Sequence, residues 1–294
     1  MNSSIQIKKV SPTTQDFSIF IFQSPYSRAI NVGFIKKSNK PTFIPGRLNY
    51  GVPRMLDTHE ATVQILQTAV AKKILKKYIP EKISTLVIMR EAVACNLPVA
   101  LARSGITNHY GDAFIGATHI KGAGPIRTDY RYENTEGLTK NGLWIVADSV
   151  CMGRSFLPTF TSLFAQGFIP KEILFILPLA TRRGIEVFAP LLKKHGIHAT
   201  FVAMGALFGV GDNLYNLPWG HPDTEPLDTR DQDVFVRMYN DKLCVGGDFG
   251  NYYFAPPLAK EFYNDQLKEL RITPHIPSAK EVFRIYTKEE LLMR

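Results

Sequence analysis

The chain has 294 residues, 45% of them apolar, and is therefore long enough to bury the core of one large α/β domain. Its formal net charge of +9 favours an anionic partner, which leaves nucleic acid, a membrane surface and a polyphosphate substrate open. Three cysteines without C-x-x-C spacing argue against a zinc site or a disulfide framework, and no apolar run approaches the roughly 20 residues that span a bilayer. Reduced thiols in a cytoplasm are the default for such cysteines, and residues 1–10 show no signal-peptide pattern, so we expect a cytoplasmic protein.

The first part of the chain contains β-like pieces at residues 17–22 and 29–35 among Pro, Ser and Lys. They predict an irregular N-terminal arm or a small β unit over residues 1–50. A helix is predicted from Asp57 to the lysines that precede Pro80. We interpret these lysines as a solvated helix end rather than a nucleic-acid patch; they are Lys72, Lys73, Lys76 and Lys77.

Strand and helix patterns then alternate along the chain. Short apolar runs predict buried strands at 84–89, 113–120, 143–146, 173–177 and 199–203. Longer periodic stretches predict helices at 156–167 and 185–194, and a helix at 92–102 that is interrupted near Pro98. This order is typical of a mostly parallel sheet with helices on both faces. The predicted fold class is therefore α/β.

Two polar segments interrupt this alternation. Residues 121–136 are Gly-rich and charged, which fits either a mobile hairpin or lid with Arg127 and Arg131 available to anions, or an exposed loop. Residues 209–233 form a long Pro-rich stretch that predicts a functional excursion. His221 lies within it and is a candidate base.

The central stretch is LWIVADSVCMGRSF, residues 143–156. A buried strand ends at Asp148, a short loop with Gly153 follows, and a helix begins after Ser155. The free N–H groups of a first helical turn attract anions, and a carboxylate can accept hydrogen bonds from sugar hydroxyls. The stretch therefore predicts a ribose 5-phosphate pocket, with an ordinary strand-loop-helix crossover as the alternative. Neither a nucleotide triphosphate loop nor a dinucleotide fingerprint occurs in the sequence.

Two further stretches flank this candidate pocket. Arg90 and Glu91 follow a buried strand, so they are expected at the carboxyl edge of the sheet, where Arg90 could meet a pyrophosphate or form an ion pair. Residues 243–257 are Gly-rich and aromatic, which suits close approach to a flat base or a β-turn that leads into an aromatic strand.

Three motifs in one order resemble those of type I phosphoribosyltransferases, and most closely the uracil phosphoribosyltransferases. The segments VIMREAV, VADSVCMGRS and VGGDFGNYYF resemble the loops for pyrophosphate, for 5-phosphoribosyl pyrophosphate (PRPP) and for uracil, and LATRRGIEVF resembles a fourth family segment. The resemblance implies a phosphoribosyltransferase-like, Rossmann-type domain over residues 51–257. It leaves residues 258–294 as a C-terminal extension.

The resemblance also implies roles for individual residues. Arg90 and Asp148 would be catalytic, with Asp148 on the ribose hydroxyls and in contact with Mg²⁺, the expected cofactor. The implied PRPP-binding residues are Arg90, Asp148, Ser149, Gly153, Arg154 and Ser155, and the implied nucleobase-binding residues are Gly247, Asp248, Phe249 and Tyr253. PRPP and a nucleobase would be its small-molecule partners, and a homo-oligomer, dimer or larger, is expected. No membrane or nucleic-acid partner is expected, since the basic residues form no stripe with interleaved aromatic residues.

The implied activity is transfer of the phosphoribosyl group to a uracil-like base in pyrimidine salvage. The sequence departs from the family at several positions, because Glu91-Ala92 replaces a small residue and Gly, Ala147 replaces an acid, and Met152 replaces a hydroxyl residue. Asn251 likewise replaces the second acid of the third motif. The alternative is therefore a catalytically altered or inactive paralogue that binds PRPP or a nucleotide as a sensor or structural protein.

Overall fold

An eight-stranded, mostly parallel sheet forms the centre of the molecule. The computed structural model describes residues 5–10, 17–36, 42–89, 91–120, 127–212, 214, 216–244, 256–271 and 278–292. Within them the strands are β1 (Gln6–Val10), β2 (Phe17–Gln23), β3 (Gly33–Lys36), β4 (Thr42–Pro45), β5 (Ile83–Met89), β6 (Gly111–Ile120), β7 (Arg127–Asn134), β8 (Leu143–Ala147), β9 (Glu172–Leu177), β10 (His198–Met204), β11 (Ala206–Leu207) and β12 (Glu225–Pro226).

The order of strands in this sheet is β1-β2-β10-β9-β8-β5-β6-β7. The six inner strands of this order, β2, β10, β9, β8, β5 and β6, are parallel to one another. The edge strands β1 and β7 are antiparallel to their neighbours. Every residue of β8 and β9 is buried, as expected for parallel strands that are covered on both faces. The predicted α/β class with a mostly parallel sheet is confirmed.

Helices cover both faces of the sheet. The helices of the described residues are α1 (Pro25–Asn31), α2 (Val52–Leu66), α3 (Ala69–Leu75), α4 (Leu97–Arg103), α5 (Phe156–Ala165), α6 (Arg182–Glu186), α7 (Ala189–His195), α8 (Thr229–Tyr239), α9 (Pro256–Glu269), α10 (Ala279–Val282) and α11 (Lys288–Leu292), with 3-10 helices at Pro80–Lys82 and Glu91–Cys95. No helix in this part of the chain is long and apolar enough to cross a membrane.

Two apolar layers pack these helices onto the sheet. One layer joins α2, α3 and α4 to side chains such as Val87 and Ile145. The other joins α5 and α7 to the opposite face, where the rings of Phe175 and Phe201 stack with centroids 4.4 Å apart. The sheet is therefore held between two helical layers.

A third apolar cluster lies outside the two layers. It joins segments that follow the carboxyl ends of the strands with helices from the last part of the chain. It contains side chains from α1, the β3-β4 hairpin, α8, α9 and α10, and it includes the buried Trp219. Leu48 forms a parallel bridge with Phe283, and Arg28 of α1 forms a buried ion pair with Asp231 of α8. The proposed N-terminal arm and C-terminal extension therefore pack together, and β1 and β2 of the arm belong to the central sheet. The boundaries at residues 50 and 257 remain predictions.

The predicted strands from 84–89 to 199–203 are confirmed, each extended by one or two residues. The strand predicted at 29–35 is wrong in its first half, since a capping box of Ser24 and Ser27 and the following Pro25 begin a helix, α1. The strand β3 begins only at Gly33.

Three predicted helices are interrupted. The helix expected from Asp57 begins five residues earlier, at Val52, and breaks where the Thr68 hydroxyl caps α3. The helix predicted at 185–194 divides into α6 and α7, and Pro190 lies in the first turn of α7. The interruption predicted near Pro98 in the helix at 92–102 is confirmed, since this segment divides into the 3-10 helix Glu91–Cys95 and α4, with Pro98 in the first turn of α4. The loop predicted at 209–233 ends early, because Asp228 caps α8.

Candidate functional site

The candidate site lies at the carboxyl edge of the parallel strands. In the sheet Ala147, the last residue of β8, pairs with Val87 of β5 on one side and with Ile176 of β9 on the other. Asp148 follows immediately, so its carboxyl group leaves the sheet between two neighbouring strands. Open parallel sheets bind ligands at this edge.

The segment from Asp148 to Ser155, here called the phosphate loop, turns into α5 through Gly153. Gly153 has φ +68°, a conformation that L-residues rarely adopt. A Cβ at this position would lie less than 3.0 Å from Val187 Cγ1 and 3.1 Å from the Gly184 carbonyl oxygen. The N–H of Leu157 donates to the Gly153 carbonyl at 2.9 Å and closes the first turn. The position therefore requires glycine for both its conformation and its space.

A second segment, residues 179–184, which runs into the start of α6, holds the phosphate loop in place. The Val150 N–H donates to the Leu179 carbonyl at 2.9 Å, and the Thr181 N–H donates to the Val150 carbonyl at the same distance. The Thr181 hydroxyl donates to the Cys151 carbonyl and also caps α6, accepting the Gly184 N–H at 2.9 Å. These bonds fix the backbone of the phosphate loop before any ligand binds.

The phosphate loop ends at the start of α5, a ten-residue helix. Ser155 precedes it in helical conformation, with φ −85° and ψ −42°, and its side chain forms no capping hydrogen bond. The start of a helix carries a partial positive charge. In α5 the Leu157 N–H already donates to the Gly153 carbonyl and Pro158 has no N–H, so an anion would meet the N–H of Phe156 at this helix start. Arg154 is exposed beside it. The arrangement suits an anion with several oxygen atoms, such as a phosphate.

A pair of carboxyl groups lies at the head of this loop. Asp148 Oδ1 accepts the Ser149 N–H at 2.8 Å. Burial and the neighbouring Glu91 carboxyl raise the pKa of Asp148 well above its usual range. Burial also raises the pKa of Glu91, and the guanidinium group of Arg54 partly offsets this effect. Two acids that follow the ends of β5 and β8 therefore interact electrostatically.

Glu91 is buried, with 4% of its surface exposed. It begins the 3-10 helix Glu91–Cys95, which follows β5 where the sequence predicted a pyrophosphate loop. Behind it, burial and the charges of Glu91 and Asp148 raise the pKa of Cys95 to about 12, so this thiol is not a nucleophile. Glu91 is thus part of the wall of the site.

The predicted residues of the PRPP motif that the structure describes are close neighbours in the chain, and their binding roles stay predictions. Asp148, Ser149, Gly153, Arg154 and Ser155 all belong to the phosphate loop. Arg90, Gly247, Asp248, Phe249 and Tyr253 lie outside the described residues. Arg127 and Arg131 lie on β7, which pairs with β6 as the predicted hairpin, and the lid role stays a prediction. The His221 ring nitrogen Nδ1 accepts the Asp223 N–H at 3.1 Å within a turn.

Two contributions to this site were not predicted as site features. Arg54 reaches Glu91 from α2, and its sequence neighbours Val52 and Pro53 mark only a helix start. Thr181 supports the phosphate loop, although its segment was identified by resemblance alone. Among the described residues, no group of three or more His, Cys, Asp or Glu side chains could hold a metal ion.

No protein-family model and no curated protein matches the chain. Among solved structures, an adenine phosphoribosyl transferase from Trypanosoma brucei in complex with AMP, pyrophosphate and ribose-5-phosphate is 13% identical, with a TM-score of 0.43 over 67% of this chain and 86% of that one. The adenine phosphoribosyltransferase from Leishmania tarentolae is 13% identical, with a TM-score of 0.40 over 68% and 94%. The AQ2163 protein from Aquifex aeolicus is 13% identical, with a TM-score of 0.42 over 55% and 79%. Structural similarity at these identities assigns no activity to this chain. A functional proposal has to rest on the residues of the site.

Proposed function

We propose that the chain transfers the phosphoribosyl group of PRPP to a uracil-like nucleobase and releases a nucleoside monophosphate and pyrophosphate. The observation that carries this proposal is the phosphate loop, in which a carboxyl group, a glycine at positive φ and the start of α5 follow one another at the carboxyl edge of the sheet. A phosphate on the helix start and a ribose diol on Asp148 match the two ends of a ribose 5-phosphate.

The proposed reaction needs positioning more than covalent chemistry. As the bond from the anomeric carbon to pyrophosphate breaks, the ribose acquires oxocarbenium character, a base nitrogen bonds to the anomeric carbon, and the proton of that nitrogen passes to solvent or to the departing pyrophosphate. The phosphate loop would hold the 5-phosphate and Asp148 the ribose hydroxyls, so that the anomeric carbon is fixed relative to the base. Arg90 would face the pyrophosphate, and the β6-β7 hairpin, with Arg127 and Arg131, would exclude water.

Magnesium is the cofactor that this proposal implies, and the carboxyl group of Asp148 is an oxygen ligand of the kind that Mg²⁺ prefers. Mg²⁺ prefers hard oxygen ligands and usually keeps several waters while it bridges one or two carboxylates to substrate phosphates. Asp148 would hold it from the protein side, and the pyrophosphate of PRPP from the other. When bound, the ion would neutralise charge that develops on the leaving pyrophosphate.

The choice of a uracil-like base is the most specific part of the proposal. It is supported by the resemblance of residues 243–257 to a uracil-recognition loop, where Gly247, Asp248, Phe249 and Tyr253 would contact the base. A role in pyrimidine salvage, a cytoplasmic location and a homo-oligomeric assembly belong to the same proposal.

One observation favours the second candidate, a protein that binds PRPP or a nucleotide without turnover. Glu91 and Ala92 are buried in a 3-10 helix, where the resemblance implies a small residue and a glycine that expose backbone to pyrophosphate. A carboxyl group at this place disfavours an anionic leaving group.

The test is an assay of pyrophosphate release from PRPP and Mg²⁺ with a panel of uracil, other pyrimidines and purines. The transferase predicts release with one class of base, abolished in Asp148→Asn and kept in Asp265→Asn, a control on the exposed side of α9. No release with any base, together with calorimetric binding of PRPP that Asp148→Asn weakens, would support the binding protein instead.

A further inference from the structure

The amino edge of the parallel strands, at the other end of the sheet from the candidate site, carries nine exposed lysines. Glu172, the first residue of β9, pairs with His198, the first residue of β10. Glu172 also pairs with Leu143, the first residue of β8, which in turn pairs with Ile83, the first residue of β5. These four strands therefore begin level with one another. The lysines lie in the segments that lead into them, residues 72–82, 140–142, 171–172 and 193–198. We call this set the basic edge: Lys72, Lys73, Lys76, Lys77, Lys82, Lys140, Lys171, Lys193 and Lys194.

Backbone contacts join these segments into one surface. The Lys171 N–H donates to the Gly142 carbonyl at 2.8 Å, and the His198 N–H donates to the Lys171 carbonyl at 3.4 Å. A Cβ added to Gly142 would collide with the carbonyl oxygen of Lys82, so the chain that leads into β5 lies against the chain that leads into β8. Lysines that are far apart in the sequence are therefore neighbours at this edge.

Acids balance only a small part of this charge. The four segments contain two acids, Glu81 and Glu172. Glu172 is buried, and its carboxylate oxygens accept hydrogen bonds from Lys77 Nζ at 2.8 and 2.9 Å. No other lysine of the basic edge takes part in an ion pair between described residues. Like charges on one face repel one another, and an anionic partner would relieve that repulsion.

Helix ends explain part of the basic edge but not all of it. Two of its lysines lie in the last turn of α3 and two in the last turn of α7, where the helix dipole favours cations. Lys140 and Lys171 lie instead in the loops before β8 and β9. The interpretation of the α3 lysines as a solvated helix end considers that helix alone, whereas the fold adds lysines from three other segments to the same surface.

The chemistry of the basic edge favours one class of anionic partner. Lysine is depleted in protein–protein interfaces. Binding to a membrane surface is strengthened by apolar side chains, and in these segments Ile79 is the one exposed large apolar residue. Single-stranded nucleic acid stacks its bases on aromatic rings. Tyr78 is the one Phe, Tyr or Trp residue of the four segments, and its hydroxyl donates to Glu172 at 3.2 Å. A duplex needs neither feature, because it keeps its bases inside and presents phosphates.

The size of the basic edge also suits a duplex. Four strands about 4.8 Å apart span roughly 15 Å. Duplex DNA carries about one negative charge per 1.7 Å of its axis, so this length presents roughly nine phosphate charges. We propose that the basic edge binds the phosphate backbone of a nucleic-acid duplex without reading its sequence. This inference goes beyond the proposed function and does not depend on it, because the phosphate loop lies at the opposite, carboxyl edge of the sheet.

The test is fluorescence anisotropy of labelled RNA and DNA duplexes with the intact chain over a series of salt concentrations. The variant combines Lys82→Gln, Lys140→Gln and Lys171→Gln, which removes three exposed charges from the basic edge. A plot of log affinity against log salt should be linear, with a slope that is shallower by about three in the variant, since each lysine on a phosphate contributes about one. Duplexes of different sequence should bind alike, and tighter binding of either RNA or DNA would identify the natural ligand and support the inference.

The matched control combines Lys242→Gln, Lys280→Gln and Lys288→Gln, three exposed lysines outside the basic edge. It lowers the net charge equally and should bind the duplexes as the unmodified chain does. Because all six side chains are exposed, both variants should keep the thermal midpoint of unfolding. Equal weakening in both variants would show an effect of net charge alone and overturn the inference. It is also overturned if the unmodified chain binds no duplex at low salt, if a single strand binds more tightly than the duplex, or if phosphatidylserine vesicles bind and duplexes do not.

Discussion

Replacement of Gly153 by alanine should damage both the fold and the phosphate site. A residue with a Cβ at φ +68° is strained by roughly 1–2 kcal/mol. The new methyl group would also lie less than 3.0 Å from Val187 Cγ1, and overpacking of this kind costs about 1–3 kcal/mol. Because Val187 is 42% exposed and can turn away, the lower half of that range applies. We expect a total loss of about 2–4 kcal/mol in the free energy of unfolding.

Gly167 provides the matched control, since it has φ +83° just after α5 and an added Cβ there meets no atom within 4 Å. Gly167→Ala should cost only the conformational strain, roughly 1–2 kcal/mol. Urea denaturation measures both losses, and calorimetry with ribose 5-phosphate measures binding. Only Gly153→Ala should weaken binding. Equal losses of stability in the two variants, or unchanged binding in Gly153→Ala, would refute the account of the phosphate loop.

Three further changes test other parts of the structure. The pKa of Glu91 is raised above its ordinary value of 4.5, so the unfolded chain releases this proton at a lower pH than the folded chain does. The free energy of unfolding should therefore fall as pH rises from 4.5 toward the raised pKa, and Glu91→Gln should make this dependence shallower in denaturation series across that range. Asp231→Asn leaves the buried Arg28 without its anionic partner and should cost about 3–5 kcal/mol, whereas loss of the exposed Arg103 pair should cost under about 1 kcal/mol in the same assay. Thr181→Val removes the α6 cap and the bond to the phosphate loop, so urea denaturation should show a loss of about 1–2 kcal/mol and calorimetry should show weaker binding of ribose 5-phosphate.

The sequence predicts the central sheet well because its strands are short, continuous apolar runs. Leu143–Ala147 illustrates this, since a buried parallel strand needs apolar side chains on both faces and the run ends where Asp148 leaves the sheet. The phosphate loop is predicted for a related reason: its acid, its Gly153 and its following helix are consecutive in the chain. Features that depend on consecutive residues can therefore be predicted from the sequence.

Long-range packing is the part that the sequence does not predict. Arg54 precedes the predicted helix and meets Glu91 only because α2 packs on the 3-10 helix, so no local pattern marks either residue as part of a buried charged group. The end of the chain likewise meets the proposed N-terminal arm through Leu48 and Phe283. Helix breaks at Thr68 and before Pro190 were missed because apolar periodicity continues across them.

Amide hydrogen exchange of the phosphate loop, with and without PRPP and Mg²⁺, tests the central claim most directly. If the loop holds the 5-phosphate on its backbone, the amides between Cys151 and Leu157 should exchange more slowly with the ligand, while those on the exposed side of α9 should not change. Binding of PRPP without protection of these amides, or protection confined to another part of the chain, would contradict the account.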